Sequence, residues 1–215
     1  MNSVKLVWGT PDTDNHLAYI ARVSNPNNQD NPSKEGLFKY MMREGHVSPF
    51  EMAHACLEIN VTRDIGRQIL RHRSFSFQEF SQRYADVSVL GEFAIRECRM
   101  QDTKNRQNSL PTTDADLNIW WAAAQGRMTS EAEYLYSEAL KRGVAKEQAR
   151  ALLPEGLTMS RMYMVGSYRS WIHYLTSRLH LTTQKEHREV AQMVLDVLRT
   201  TAPMTMDVFF PKELS

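Results

Sequence analysis

The sequence predicts an α+β fold, a mixed sheet with flanking helices in a single domain spanning residues 1–215. Three observations lead there. Alternation of period two, the mark of a half-buried strand, appears in a few segments, whereas helical periodicity appears in more. The two kinds of segment do not strictly interleave, which argues against a doubly wound parallel sheet. No internal repeat, low-complexity tract or Gly/Ser-rich linker divides the 215 residues, a usual length for one domain.

Residues 4–8, VKLVW, read as a short strand ended by Gly9, Thr10 and Pro11. A short helix over 16–24 follows, with Asp12 or Asp14 as its cap. Asn31-Pro32 opens a clearer helix: Asn caps it, Pro fits the first turn, Leu37, Tyr40 and Met41 fall at i, i+3 and i+4, and Gly45 stops it. Ser48-Pro49-Phe50-Glu51 reads as another helix start. Leu57, Ile59 and Val61 alternate with Glu58, Asn60 and Thr62 as a strand. A helix over 63–71 comes next, then a polar and aromatic loop to Tyr84. Residues 93–100 read as a strand, and 101–113, with Asn105, Asn108 and Pro111, as a loop.

A long helix over 114–141 carries Leu117, Trp120, Trp121 and Ala124 on one side and ends before Gly143. Residues 147–153 form a short helix halted by Pro154, 159–165 alternate as a strand, and 169–178 form a helix apolar at Trp171, Tyr174 and Leu175. The last helix opens at Thr183 with Glu186 three residues on, a capping box, and buries Ala191, Val194, Leu195 and Leu198.

Composition removes several function classes. Lys+Arg is 26 against Asp+Glu 25, a net charge of +1, so no global field draws a nucleic-acid backbone. Cys56 and Cys98 make no disulfide framework and suit a reducing compartment; as chemistry they read as small buried hydrophobes. No apolar run is long enough to span a bilayer, and the N-terminus lacks a signal-peptide core. The expectation is a cytoplasmic protein with no membrane or nucleic-acid partner. The seven histidines form no HExxH and no cysteine pair has zinc spacing, so no metal is expected; His180 and His187 read as decorating a solvated helix face. There is no glycine-rich phosphate loop either, so an anionic ligand would need arginine side chains and helix ends.

The segment Arg71-His72-Arg73-Ser74-Phe75-Ser76-Phe77-Gln78-Glu79-Phe80-Ser81-Gln82-Arg83-Tyr84 stands out. It packs arginines, serines, aromatics, a histidine and a carboxylate into a non-periodic stretch. Arginine grips phosphate or a uracil-like edge with a planar fork, hydroxyls and loop amides complete an anion site, and aromatic rings wall a planar heterocycle. The plainer reading is a surface turn with the phenylalanines tucked into the core.

This segment resembles the RHRxxSxNxxSxRY signature of the flavin-dependent thymidylate synthases, the ThyX family. Arg71, His72, Arg73, Ser76, Ser81, Arg83 and Tyr84 match, and Gln78 replaces Asn. Residues 45–51, GHVSPFE, are similar to the family's GHxSPFEH, with Met52 in place of the final His. Arg150 before Leu-Leu-Pro and the run 169–178 fall where the family has counterparts, so the likeness covers roughly residues 40–200.

The resemblance implies a ThyX-type fold and the synthesis of thymidylate (dTMP) from deoxyuridylate (dUMP). The one-carbon unit would come from methylenetetrahydrofolate and the hydride from FAD reduced by NADPH, in a homotetramer with shared active sites. It implies that Gln68, Arg71, Glu79, Ser81, Gln82 and Arg83 line the dUMP site, closed by Arg150 and Arg178. Arg178, always protonated, would stabilise negative charge developing on the uracil and is the expected catalytic residue. Ser81 lacks an adjacent base and is expected to bind rather than attack. For FAD the resemblance implies Ser48, Arg71, His72, Arg73 and Glu79, with Ser167, Arg169 and His173; Ser167 and His173 stand where many relatives have Asn. The resemblance would set His46 at the folate side; the plainer reading is a capping or packing histidine beside Gly45. Two rival readings remain: a nucleic-acid module stacking bases on the aromatic, basic segment, and a scaffold without cofactor.

Overall fold

The computed structural model describes residues 2–211. The first strand, β1 (Ser3–Gly9), leads to α1 (Thr13–Ala21), a 3-10 turn at Pro26–Asn28, α2 (Glu35–Arg43) and a second 3-10 turn at Ser48–Met52. Next come β2 (His54–Thr62), α3 (Arg63–Ile69) and β3 (Ser76–Glu79). A hairpin, β4 (Arg99–Gln101) and β5 (Ser109–Pro111), precedes the 27-residue α4 (Ala115–Lys141). The chain then forms α5 (Lys146–Ala149), a 3-10 turn at Arg150–Leu152, β6 (Met159–Ser167), α6 (Tyr168–Arg178), α7 (Lys185–Thr201) and α8 (Pro203–Phe209).

The α+β class is as the periodicities require. The main sheet runs β1-β2-β6-β3, and every pairing among the described residues is antiparallel, so the sheet is not mixed. Its two faces follow from alternation. Ala55, Leu57, Ile59 and Val61 of β2 and Met162 and Met164 of β6 are fully buried, and Leu57 sits opposite Met164 as Ile59 sits opposite Met162. Helices α6 and α7 cover this face with Trp171, Tyr174, Val190, Ala191, Val194 and Leu198. The other face is polar: Tyr163 donates to Glu58 at 3.1 Å and Arg161 to Asn60 at 2.9 Å. One packed face and one wet face is what an antiparallel sheet permits.

Several boundaries differ from expectation, each for a local reason. The helix expected at Asn31 starts at Glu35, because the Asn31 side chain accepts from Ser33 N–H and its carbonyl from Arg22, which closes a turn instead. Neither Asp12 nor Asp14 caps α1 by its side chain. The buried Asp14 carboxylate instead accepts from the Met204 and Thr205 amides at 2.8 and 3.1 Å, and so caps the unexpected α8 from across the fold. Ser48 opens only a 3-10 turn. In the expected strand 93–100, only its last two residues pair; 93–98 is irregular, held by the buried Gln125 amide on both backbone groups of Arg96. The expected loop 101–113 holds β5, paired with β4. On α4, Trp120 is 57% exposed, so the supposed apolar side is not a core stripe. There is no capping box at Thr183: α7 has no side-chain cap, and Glu186 turns instead to Arg99 and Arg96. No helix among the described residues is long and apolar enough to cross a membrane.

Candidate active site

The expected loop between α3 and Tyr84 contains β3, which pairs with β6 and divides the segment into two anchored halves. The first half is pinned by Phe75. Its ring lies so close to Gly166 that a Cβ there would come within 2.5 Å of it, and it meets Trp171 edge-on at 4.6 Å. The second half is pinned by Phe80, which packs on a smaller apolar cluster of Val87, Tyr136 and Ala149. Phe77 also packs against the main core. Of the segment's rings only Tyr84 stands out, 82% exposed. The aromatics are therefore fasteners, and the stacking platform that a nucleic-acid reading needs is missing from this segment.

Beside the first half lies a polar group, partly buried at Arg178 and His72. Arg178, the last residue of α6, donates Nε–H to His72 Nε2 at 2.8 Å. The accepting nitrogen must carry a lone pair, so this imidazole is neutral with its proton on Nδ1. Burial, and then the Arg178, His173 and Arg71 charges, push the His72 pKa down to about 4, consistent with that state. The remaining Arg178 donors have no partner among the described residues. The His72 ring meets Tyr174 edge-on at 4.9 Å. Behind Tyr174 is His187, fully buried and bonded to the Tyr174 hydroxyl and to Gln68, both at 3.2 Å. The reading of His187 as a solvated side chain is overturned: helical spacing places it with Val190, Ala191 and Val194 on the inner face of α7.

The second half gathers a different set. Ser81 Oγ accepts from the Arg83 amide at 3.4 Å. Arg83 reaches the Glu147 carboxylate at 3.4 Å, while Arg150 donates to the Glu147 carbonyl at 3.2 Å. Lys146, which sequence reasoning passed over, donates to the Tyr84 carbonyl at 3.2 Å. Gln82 is 3% exposed and its side-chain nitrogen has no partner. Arg83, Arg150 and Lys146 thus meet acceptors within the chain, and the buried Gln82 amide nitrogen is the one donor of this set left without a partner; charge-assisted donors of this kind suit a phosphate.

Of the flavin candidates, Arg169 and His173 line a cavity of about 560 Å³, with Val47, Glu51, Ser74 and Ile172 among its other walls. Arg169 pairs with Glu51 at 3.0 Å. Ser167 is not at this surface. It is buried as the N-cap of α6, accepting from the Ser170 amide and donating to Glu51 at 2.5 Å, so it reaches the cavity only through Glu51. Ser48 is exposed on the adjoining 3-10 turn. Arg71 and Arg73 are exposed and make no side-chain hydrogen bond or ion pair among the described residues. Glu79 is turned toward Ser160, 2.9 Å away, and Arg63, 3.9 Å away. His46 is exposed and lies edge-on to Tyr40. Arg71 and Arg73, exposed cations without a partner among the described residues, suit an anionic ligand, and a partly apolar cavity suits a flat ring, so these residues fit a flavin nucleotide. Cys56 lies buried in β2, where desolvation raises its thiol pKa, and takes no part.

Known proteins resemble this chain in sequence and in fold. The family described as thymidylate synthase complementing protein, Thy1, matches residues 5–204. The flavin-dependent thymidylate synthase of Synechocystis is 53% identical over 81% of this chain and 79% of its own length. The chain belongs to the flavin-dependent thymidylate synthase family. A probable member from Paramecium bursaria Chlorella virus 1 is 46% identical over 89% of this chain and 88% of its own. The UMP/dUMP methylase PolB of Streptomyces cacaoi, solved bound with 5-Br dUMP, superposes with a TM-score of 0.83 at 28% identity, covering 97% and 94% of the two chains. As a family member the chain is an enzyme that methylates dUMP with the help of a flavin.

The residues that sequence reasoning missed are Glu51, Lys146, Tyr174 and His187. Glu51 stood inside the GHVSPFE run without a role. Tyr174 was read only as apolar, and His187 had a usable signal in its spacing from Val190, Ala191 and Val194.

Proposed function

We propose that this enzyme transfers the one-carbon unit of methylenetetrahydrofolate to C5 of dUMP and completes the methyl group with a hydride from FAD reduced by NADPH. It does so as one domain in a homotetramer with shared active sites. Arg178 carries the reading: its fork is held at one end by neutral His72 and has unspent donors at the other. Negative charge that develops on the uracil edge as C5 becomes nucleophilic is stabilised by that fixed cation at no cost in reorganisation. Gln68 and Arg71 complete the pyrimidine end. Ser81, Gln82, Arg83 and Arg150 take the phosphate, where charge-assisted donors are strongest.

Bound flavin supplies the hydride. Arg71, Arg73 and Arg169 meet its phosphates and ring edge, with Ser48, His72 and His173 beside it. Glu79 and Ser167 act one step back, Glu79 through Ser160 and Arg63, Ser167 through Glu51. His46 borders the folate side. Support for the tetramer comes from the long α4, where Ile119, Trp120, Met128 and Tyr134 are exposed, large apolar groups that a lone chain leaves in water.

The test is an anaerobic visible spectrum of the purified protein. A flavin spectrum that bleaches with NADPH and recovers only when dUMP and methylenetetrahydrofolate are added establishes cofactor and reaction together. Absence of flavin, with no uptake of added FAD, overturns the reading.

A further inference from the structure

His187 occupies a site that an aliphatic side chain would fill without any demand for hydrogen bonds. It is fully buried in the first turn of α7 among Val190, Ala191 and Val194. Burial, with the Arg178 and His72 charges, pushes its pKa down to about 3, so the imidazole is neutral and has one donor and one acceptor. Both are spoken for. Gln68 donates Nε2–H to Gln184 at 2.8 Å, which leaves its Oε1 facing His187 Nδ1 at 3.2 Å. An amide oxygen cannot donate, so the His187 proton sits on Nδ1. His187 Nε2 then presents a lone pair, and the Tyr174 hydroxyl, 3.2 Å away, is its donor. Tyr174 is fully buried and desolvation raises its phenol pKa, so it keeps that proton at neutral pH. The chain of bonds runs one way, from Tyr174 to His187 to Gln68. Reversing any member sets two donors or two acceptors face to face in a low-dielectric interior.

We propose that His187 is a positioning residue for the nucleotide site: it locks the Gln68 amide with its oxygen inward, so that the remaining Nε2–H is offered to a pyrimidine carbonyl. This rests on the reading of Gln68 as a dUMP contact and deepens it. The same buried tyrosine braces both substrate-facing groups, since its ring also packs edge-to-face with His72, the imidazole that holds Arg178. Gln68 and Arg178 come from helices α3 and α6, and the Tyr174–His187 pair fixes their relative setting from behind.

The experiment compares His187→Leu with His187→Asn, whose amide N–H can replace the Nδ1 donor, in the flavin-loaded enzyme. His187→Leu is expected to raise KM for dUMP about tenfold, the scale of losing the one hydrogen bond that orients the Gln68 amide, with flavin content unchanged and kcat within about threefold. His187→Asn is expected to restore most of that loss. A His187→Leu enzyme whose KM equals that of the wild type, or a His187→Asn enzyme no better than His187→Leu, overturns the proposal. Should His187→Leu fail to fold, Tyr174→Phe removes a single oxygen and frees the His187 tautomer. It is expected to raise KM for dUMP severalfold, and an unchanged KM overturns the proposal. Nitrogen-15 NMR of the imidazole gives a readout independent of substrate: the proton is expected on Nδ1, and a proton on Nε2 overturns the proposal. Wild-type protein that does not bind dUMP would bring down the functional reading and this inference together. Normal wild-type binding with an indifferent His187→Leu would bring down this inference alone.

Discussion

Arg178 and His72 show how one hydrogen bond settles two chemical states. The 2.8 Å contact requires a lone pair on His72, so the arginine is held by a neutral ring that offsets none of its charge. Arg178→Ala is expected to fold and bind FAD while turnover of dUMP falls by hundreds-fold or more, the scale of a lost oxyanion-type donor; near-normal turnover would remove Arg178 from catalysis. The same burial has a consequence for pH. His72 and His187 titrate near 6.5 in the unfolded chain and at about 4 and about 3 in the fold. Between those values the unfolded chain holds more protons, so acid favours unfolding. Urea midpoints are expected to fall as pH drops from 7 toward 4, and less steeply in His187→Asn. Equal slopes would mean that His187 is not buried neutral.

At the scale of elements, packing decided what local chemistry left open. Asp14 has the residue type of a helix cap close to α1, yet it caps α8, 190 residues on in sequence, with two amides and the Thr205 hydroxyl as donors. Asp14→Ala is expected to cost about 1–2 kcal/mol of stability, as lost caps do, read from urea unfolding; an unchanged midpoint would show α8 to be held by apolar contacts alone. Gly166 matters for a different reason. Its lack of a Cβ lets Phe75 lie on β6, and through Phe75 the first half of the arginine-rich segment is fastened to the sheet. Gly166→Ala is expected to destabilise by about 1–3 kcal/mol through overpacking and to lower flavin occupancy by moving Arg71 and Arg73. An unaffected flavin content would separate that fastening from the site.

For the molecule as a whole, the two halves of the segment stand at opposite ends of β3, about 10 Å apart at strand rise, and rest on two separate apolar clusters. A rigid sheet thus sets the spacing between the groups proposed to meet the pyrimidine and those proposed to meet the phosphate. Exposed apolar residues on α4 face away from both clusters' interiors. Light scattering is expected to give about four times the 24.9 kDa chain mass, and Trp120→Asp to shift it downward; a monomeric wild type would end the shared-site reading.

The sequence by itself determined the fold class, most helices and strands, and the family. Period-two and helical patterns, and the block from Arg71 to Tyr84, depend on neighbours a few residues apart and survive in one dimension. Only the tertiary structure decided which polar side chain meets which. Ser167 left the surface to cap α6, Asp14 crossed to α8, β3 and β5 formed where polar residues spelled loops, and His187 turned inward. Each of these rests on a partner far away in sequence, and the free energy of a buried hydrogen bond or a strand pairing exists only once that partner has been brought alongside.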